Sequence, residues 1–111
     1  MRRVLVTGAG TGLGKAIAIE LGKQGYEVVL HYRNSAKGAE EAQRIIEENG
    51  GKASTVQFDL TNREQVKEVL SKDIEENGFY YGIVCNAGLT ADAAFPMMTD
   101  EDWDGVIHTN L

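Results

Sequence analysis

A chain of 111 residues, 42% hydrophobic and 25% charged, has the make-up of one globular domain. Its formal net charge of -6 argues against nucleic acid or an anionic membrane as a partner, because either asks for a clustered basic face. Cys85 is the only cysteine, which excludes an intramolecular disulfide and points to a reducing, cytoplasmic setting; its apolar neighbours predict a buried, inert thiol.

Val4 to Val6 reads as a first strand. Leu13, Ile17 and Leu21 then recur at helical spacing until Gly25 offers a stop. Val28 to Tyr32 reads as a second strand, and Ala39, Ala42, Ile45 and Ile46 as an amphipathic helix ended by Gly50-Gly51. Thr55 to Phe58 supplies a third strand. Thr61 and Glu64 then form a capping box ahead of a helical series at Val66, Val69, Leu70 and Ile74. Gly82 to Cys85 makes a fourth short strand. A small polar loop from Asn86 to Asp92 follows, then a helix from Thr99 with Trp103, Val106 and Ile107 on its apolar face. Strands separated by helices need crossovers, so the expected architecture is α/β: a Rossmann-like, doubly wound parallel sheet of about four strands, incomplete, filling residues 1–111 as one domain.

The segment after the first strand carries the strongest chemical signal. Thr7 to Gly14 reads T-G-A-G-T-G-L-G, placing glycines where a strand turns sharply into a helix. Glycine has no Cβ to hold a ligand off, so a pyrophosphate can approach main-chain N–H groups at the helix N-terminus. Neither the G-x-G-x-x-G nor the Walker A spacing fits; the pattern present is T-G-x-x-x-G-x-G, with Gly8, Gly12 and Gly14 as its fixed glycines. In open α/β sheets the ligand lies beyond the carboxyl ends of the strands. Here those ends carry Gly8, Ala9, Gly10, Thr11, Gly12 and Leu13, then Tyr32-Arg33-Asn34, Asp59-Leu60, and Asn86-Ala87-Gly88. Beyond the second strand there is an arginine and no acid, the arrangement that accommodates a 2′-phosphate, so NADP(H) is the expected cofactor. Neither His31 nor His108 has a second His or Cys at ligand spacing, so no metal is expected.

The glycine loop, Asp59 after the third strand, N-A-G at Asn86 to Gly88 and Asn110 on the last helix together resemble the short-chain dehydrogenase/reductase family over the whole chain. From Asn86 to Leu111 the chain most resembles 3-oxoacyl-[acyl-carrier-protein] reductases and acetoacetyl-CoA reductases, with Asp92, Met98, Asp102-Trp103 and Thr109-Asn110-Leu111 at similar places. Two departures stand out: Thr11 where many of these reductases carry a basic residue, and Ala91 in place of a frequent Arg. The resemblance implies hydride transfer between a nicotinamide and a 3-oxoacyl thioester, in a cytoplasmic homotetramer of fatty acid biosynthesis. It further implies that Asp59 meets the adenine amino group, that Asn86-Ala87-Gly88 lets the cofactor approach closely, and that Asn110 orders a proton-relay water at the catalytic centre. The family's Tyr-x-x-x-Lys is absent, since Tyr26, Tyr32, Tyr80 and Tyr81 are followed at that spacing by Leu30, Ala36, Val84 and Cys85. The segment is therefore expected to be the N-terminal half of a longer enzyme, inactive alone. A dinucleotide-binding module without turnover is the alternative, and a nucleotide-dependent epimerase or dehydratase fits the Asn86 to Leu111 stretch less well.

Overall fold

The computed structural model describes residues 2–86. Strands β1 (Arg3–Val6), β2 (Glu27–Tyr32), β3 (Lys52–Gln57) and β4 (Gly82–Val84) alternate with helices α1 (Gly12–Lys23), α2 (Ala36–Glu48) and α3 (Arg63–Asn77). All the pairings are parallel, in the order β3-β2-β1-β4, with Leu5 opposite Val29 on one side and Ile83 on the other. The chain winds outward through β2 and β3, then returns to place β4 on the far side of β1, so strand order reverses beside β1. That is the doubly wound arrangement expected, and it puts the carboxyl ends of the strands on one rim.

Alternation along the strands builds two cores. Val4, Val6, Val28 and Leu30 face Ala18, Ala39, Ala42 and Ile46 of α1 and α2, whereas Leu5, Val29 and Ile83 face Val66 and Leu70 of α3 together with Phe58 and Tyr80. Helices thus cover both faces, which is why Val4 to Val6 and Val28 to Leu30 of the central strands are apolar at every position.

Four local readings change. The buried stripe of α1 is Gly14, Ala18 and Gly22, and Leu13 is 66% exposed. Small residues line that face because α1 lies close to α2: a Cβ on Gly22 would stand 2.8 Å from the Ile46 side chain. Strand β3 begins at Lys52, three residues before the first expected position, because its backbone follows β2 in register from Glu27 opposite Lys52. The cap of α3 is Asn62, whose side chain accepts from the Gln65 amide at 3.1 Å, and not Thr61 with Glu64. Thr61 instead donates its hydroxyl to Asp59 at 2.7 Å, while Gln65 reaches back to accept from the Asp59 amide at 2.6 Å. Finally, Cys85 is exposed, since β4 ends at Val84 before reaching it; partial desolvation still pushes its thiol pKa up.

The amino-terminal end of the sheet is closed by a buried polar cluster. Arg3 donates to Asp73 at 2.7 Å and to Glu27 at 3.2 Å, and Asp73 also accepts from Tyr80 and from Asn77. Burial opposes the charge on Arg3, but its hydrogen bond to Asp73 and that carboxylate's charge outweigh it and hold the guanidinium pKa above its ordinary value. Burial and the Asp73 bond also push the Tyr80 hydroxyl far up, so it stays protonated.

Candidate functional site

The opposite rim is open. A cleft of about 230 Å³ lies beyond the carboxyl ends of β1, β2 and β3, lined on one wall by Gly8, Gly10 and Thr11, on another by His31 to Ser35, and on the third by Asp59, Leu60 and Thr61. Of the expected site residues it gathers Gly8, Gly10, Thr11, Tyr32, Arg33, Asp59 and Leu60. Ala9, Gly12, Leu13, Gly14 and Asn86 do not line it. Ala87, Gly88 and Asn110 lie outside the described residues.

The residues set back from the cleft shape it. Gly8 adopts φ 64° and Gly12 φ 54°, left-handed conformations that glycine enters without a Cβ clash. The Ala9 amide donates to the His31 carbonyl at 2.8 Å, tying the loop to β2. Thr7 fastens the other side, where its hydroxyl accepts from the Asn86 amide at 2.7 Å and donates to the Val84 carbonyl at 3.3 Å. This brings Asn86 against the start of α1: a Cβ on Gly14 would lie 2.6 Å from Asn86 Nδ2 and closer still to the Gly8 carbonyl oxygen. A Cβ on Gly10 would come within 2.6 Å of Ser35, and one on Gly38 would run into the Gly10 carbonyl. The loop is therefore a cradle pressed between α1, α2 and β4, where a side chain would occupy the space that a ligand's phosphates or the neighbouring backbone need.

Electrostatically the cleft suits an anion. Helices α1 and α2 both begin on it, and neither carries a side-chain cap or an acid in its first turn, whereas α3 has both Asn62 and Glu64. Each bare terminus directs amide donors and the positive end of a helix dipole at its surroundings. Arg33, 62% exposed, adds a full charge and pairs with Asp59 at 3.2 Å. The Thr61 hydroxyl and amide, followed by the Arg33 charge, hold the Asp59 carboxyl below its ordinary range, so it is ionised at neutral pH. Among the described residues no cluster of three His, Cys, Asp or Glu is arranged to hold a metal.

Sequence reasoning passed over Ser35, Thr61 and His31, all on the cleft wall. His31 had a signal: it is a lone polar residue in the run Val28 to Tyr32. It is 2% exposed, accepts from the Gly8 amide through Nδ1 at 3.1 Å, and bonds the Phe58 carbonyl through Nε2 at 2.8 Å. Gly38 also had one, as a glycine inside an otherwise good helix.

The family model for short chain dehydrogenases matches residues 2–111. The chain belongs to that family. It is 46% identical over 108 residues to a 3-oxoacyl-[acyl-carrier-protein] reductase of Aggregatibacter actinomycetemcomitans, a match covering 97% of this chain and 45% of that protein. It is 38% identical to glucose 1-dehydrogenase 2 of Bacillus subtilis, covering 99% of this chain and 43% of the relative. Among solved structures, the acetoin dehydrogenase of Salmonella typhimurium superposes with a TM-score of 0.72 at 26% identity, over 95% of this chain and 44% of that one. The chain thus spans a little under half the length of these relatives. Members of the family use nicotinamide dinucleotides, and the bare cradle beside two helix N-termini fits such a group. No helix of the described residues is long and apolar enough to cross a membrane.

Proposed function

We propose that this chain forms the coenzyme half of an NADPH-dependent reductase of 3-oxoacyl thioesters, acting as a cytoplasmic homotetramer in fatty acid biosynthesis. The observation that carries the reading is the convergence of Arg33 and the uncapped N-termini of α1 and α2 on one glycine-walled cleft. The 46% identity to a 3-oxoacyl-[acyl-carrier-protein] reductase supports the substrate class. When bound, the dinucleotide supplies the hydride that reduces the ketone.

The chain's own residues bind and orient. Gly10 and Thr11 leave the start of α1 open to the pyrophosphate, with Gly8 and Ala9 anchoring the turn behind them and Gly12, Leu13 and Gly14 opening the helix. Arg33 holds the 2′-phosphate, while Tyr32 and Leu60 wall the adenosine and Asp59 accepts from the adenine amino group. Asn86-Ala87-Gly88 keeps the nicotinamide side free of bulk, and Asn110 orders the water that returns a proton. The general acid comes from outside these 111 residues, because no tyrosine here has a lysine four positions on.

The test is the protein carrying this chain, incubated with an acetoacetyl thioester and NADPH. Oxidation of the cofactor supports the reading; bound NADPH that is not consumed rejects it. The 38% identity to a glucose dehydrogenase favours one second reading, oxidation of a sugar or simple alcohol. Reduction of NADP+ by glucose in the same assay would establish that instead.

A further inference from the structure

His31 occupies a position that tolerates only one protonation state. The Phe58 carbonyl can only accept, so Nε2, 2.8 Å away, carries the ring hydrogen. Nδ1 is then a bare lone pair, and it faces the Gly8 N–H at 3.1 Å. The ring is 2% exposed and lies against Phe58 with centroids 4.1 Å apart, which leaves little room to turn. Adding a proton at Nδ1 would set two donors head to head across that gap, at the first glycine of the cradle.

We propose that His31 is a positioning residue of the dinucleotide site: neutral, it holds the Gly8 amide and with it the turn that receives the pyrophosphate; protonated, it releases that turn, so dinucleotide affinity falls as the solution becomes acidic. This rests on the dinucleotide reading above. Three groups around the ring carry or can carry charge. Asp59, beyond β3, favours the imidazolium and is itself paired with Arg33, beyond β2; Arg33 and Tyr32 share the cleft wall with the ring. The loop from Thr7 to Thr11 contributes no charged side chain. Burial lowers the His31 pKa below its ordinary 6.5, against the smaller contrary pulls of the Phe58 carbonyl and Asp59. The sign follows: a folded-state pKa below the unfolded one means the arrangement is intact above 6.5 and is lost as pH falls through the lowered value.

NAD+ is the probe of choice, because its pyrophosphate does not titrate in this range whereas a 2′-phosphate does. Calorimetric titration of the wild-type protein from about pH 8 to about pH 5 is expected to show affinity steady above the ordinary histidine range and falling below it. The Asn Oδ1 of His31→Asn can accept from Gly8 but cannot be protonated, so this variant binds with little pH dependence. His31→Leu leaves the buried amide without an acceptor and binds about tenfold more weakly at every pH. In amide NMR spectra of the wild type, the Gly8 resonance moves with the ring's protonation. Affinity that is flat, or that rises in acid as the imidazolium attracts phosphate, overturns the inference, as does a Gly8 resonance indifferent to the ring. Should the protein bind dinucleotide at no pH, the underlying reading fails and this one with it; a bound but pH-independent ligand overturns the inference alone. If His31→Leu does not fold, the wild-type profile and His31→Asn still decide.

Discussion

Replacing Gly14 with alanine probes how tightly the cradle is closed. The added Cβ would stand 2.6 Å from Asn86 Nδ2 and 2.9 Å from the Gly8 carbonyl carbon, where ordinary contact begins at 3.4 Å. Either α1 or the loop must withdraw by about 1 Å, since the Gly8 obstacle is backbone and cannot swing aside. Overpacking of this kind costs roughly 1–3 kcal/mol, and a rigid obstacle belongs at the upper end. Alanine returns about 1 kcal/mol of helix propensity, leaving a net loss near 2 kcal/mol. In urea, with a slope of roughly 2 kcal/mol per molar, the unfolding midpoint drops by about 1 M. The same displacement carries the amides that open α1 away from the pyrophosphate, so NADPH affinity falls at least about tenfold, the worth of one charge-assisted bond. Equilibrium unfolding and fluorescence titration on the same variant check both effects. An unchanged midpoint together with unchanged affinity would refute the close-approach argument. The contrast is Gly12→Ala: no atom lies within 4 Å of its Cβ, and only the φ of 54° resists, at a cost of about 1–2 kcal/mol.

The charged residues give sharper contrasts still. Arg33→Ala is expected to weaken NADPH about tenfold and NADH hardly at all; the effect sits at the low end for a guanidinium–phosphate bond because Asp59 already competes for Arg33 at 3.2 Å. Equal loss for both cofactors would show that Arg33 does not read the 2′-phosphate. Asp73→Asn strands Arg3 at the closed end of the sheet and costs about 3 kcal/mol in urea unfolding, the lower part of the range for breaking a buried pair, since Glu27 still reaches Arg3. Its dinucleotide affinity under native conditions should not change, because the cleft is at the other rim; a large loss of affinity would mean the two ends are coupled. The exposed Lys15–Glu41 pair makes the control: Lys15→Met is expected to leave the urea midpoint essentially unchanged despite its 2.6 Å bond.

Element order and sheet type were legible because β1 and β2, of four and six residues, are built around the apolar runs Val4 to Val6 and Val28 to Leu30, and the helices are separated from the strands that follow by glycine stops at Gly25 and Gly50, both left-handed in the structure. The glycine loop, Arg33 and Asp59 were legible for a related reason: a ligand at the carboxyl ends of parallel strands confines the search to a few positions after each strand. Contacts between distant parts of the chain were not. Asp73 sits at a helical core position where periodicity alone predicts an apolar residue, and its bonds to Arg3, 70 positions away, and to Tyr80 explain it. Leu13 looks like core by spacing, yet the true stripe runs through Gly14 and Gly22, because a close helix approach selects for small size and hydropathy cannot report distance. The cap of α3 slipped by one residue for a local reason: Asp59 claims the Thr61 hydroxyl and amide, leaving Asn62 to accept from Gln65. For His31, the role becomes visible only when Gly8 and Phe58 are brought to its two ring nitrogens.

The bare start of α1 sets stability against binding in a way that one substitution can measure. Thr11 occupies the N-cap position in an extended conformation, φ -145° and ψ 158°, yet makes no side-chain cap bond, and no acid follows in the first turn. Thr11→Asp supplies both: a carboxylate that can accept from the free amides, and a negative charge at the positive end of the helix. Capping and dipole effects each contribute from a few tenths to about 1 kcal/mol, so the variant should unfold at higher urea, by about 0.5 M. The same carboxylate would occupy the amides that the pyrophosphate uses and would repel it, so NADPH affinity should fall by tenfold or more, with the loss partly relieved by salt. A variant both more stable and unaffected in binding would mean that the ligand's phosphates lie elsewhere on the rim. A variant no more stable would mean that the first turn of α1 is not short of partners, and the contrast with the capped α3 would lose its meaning.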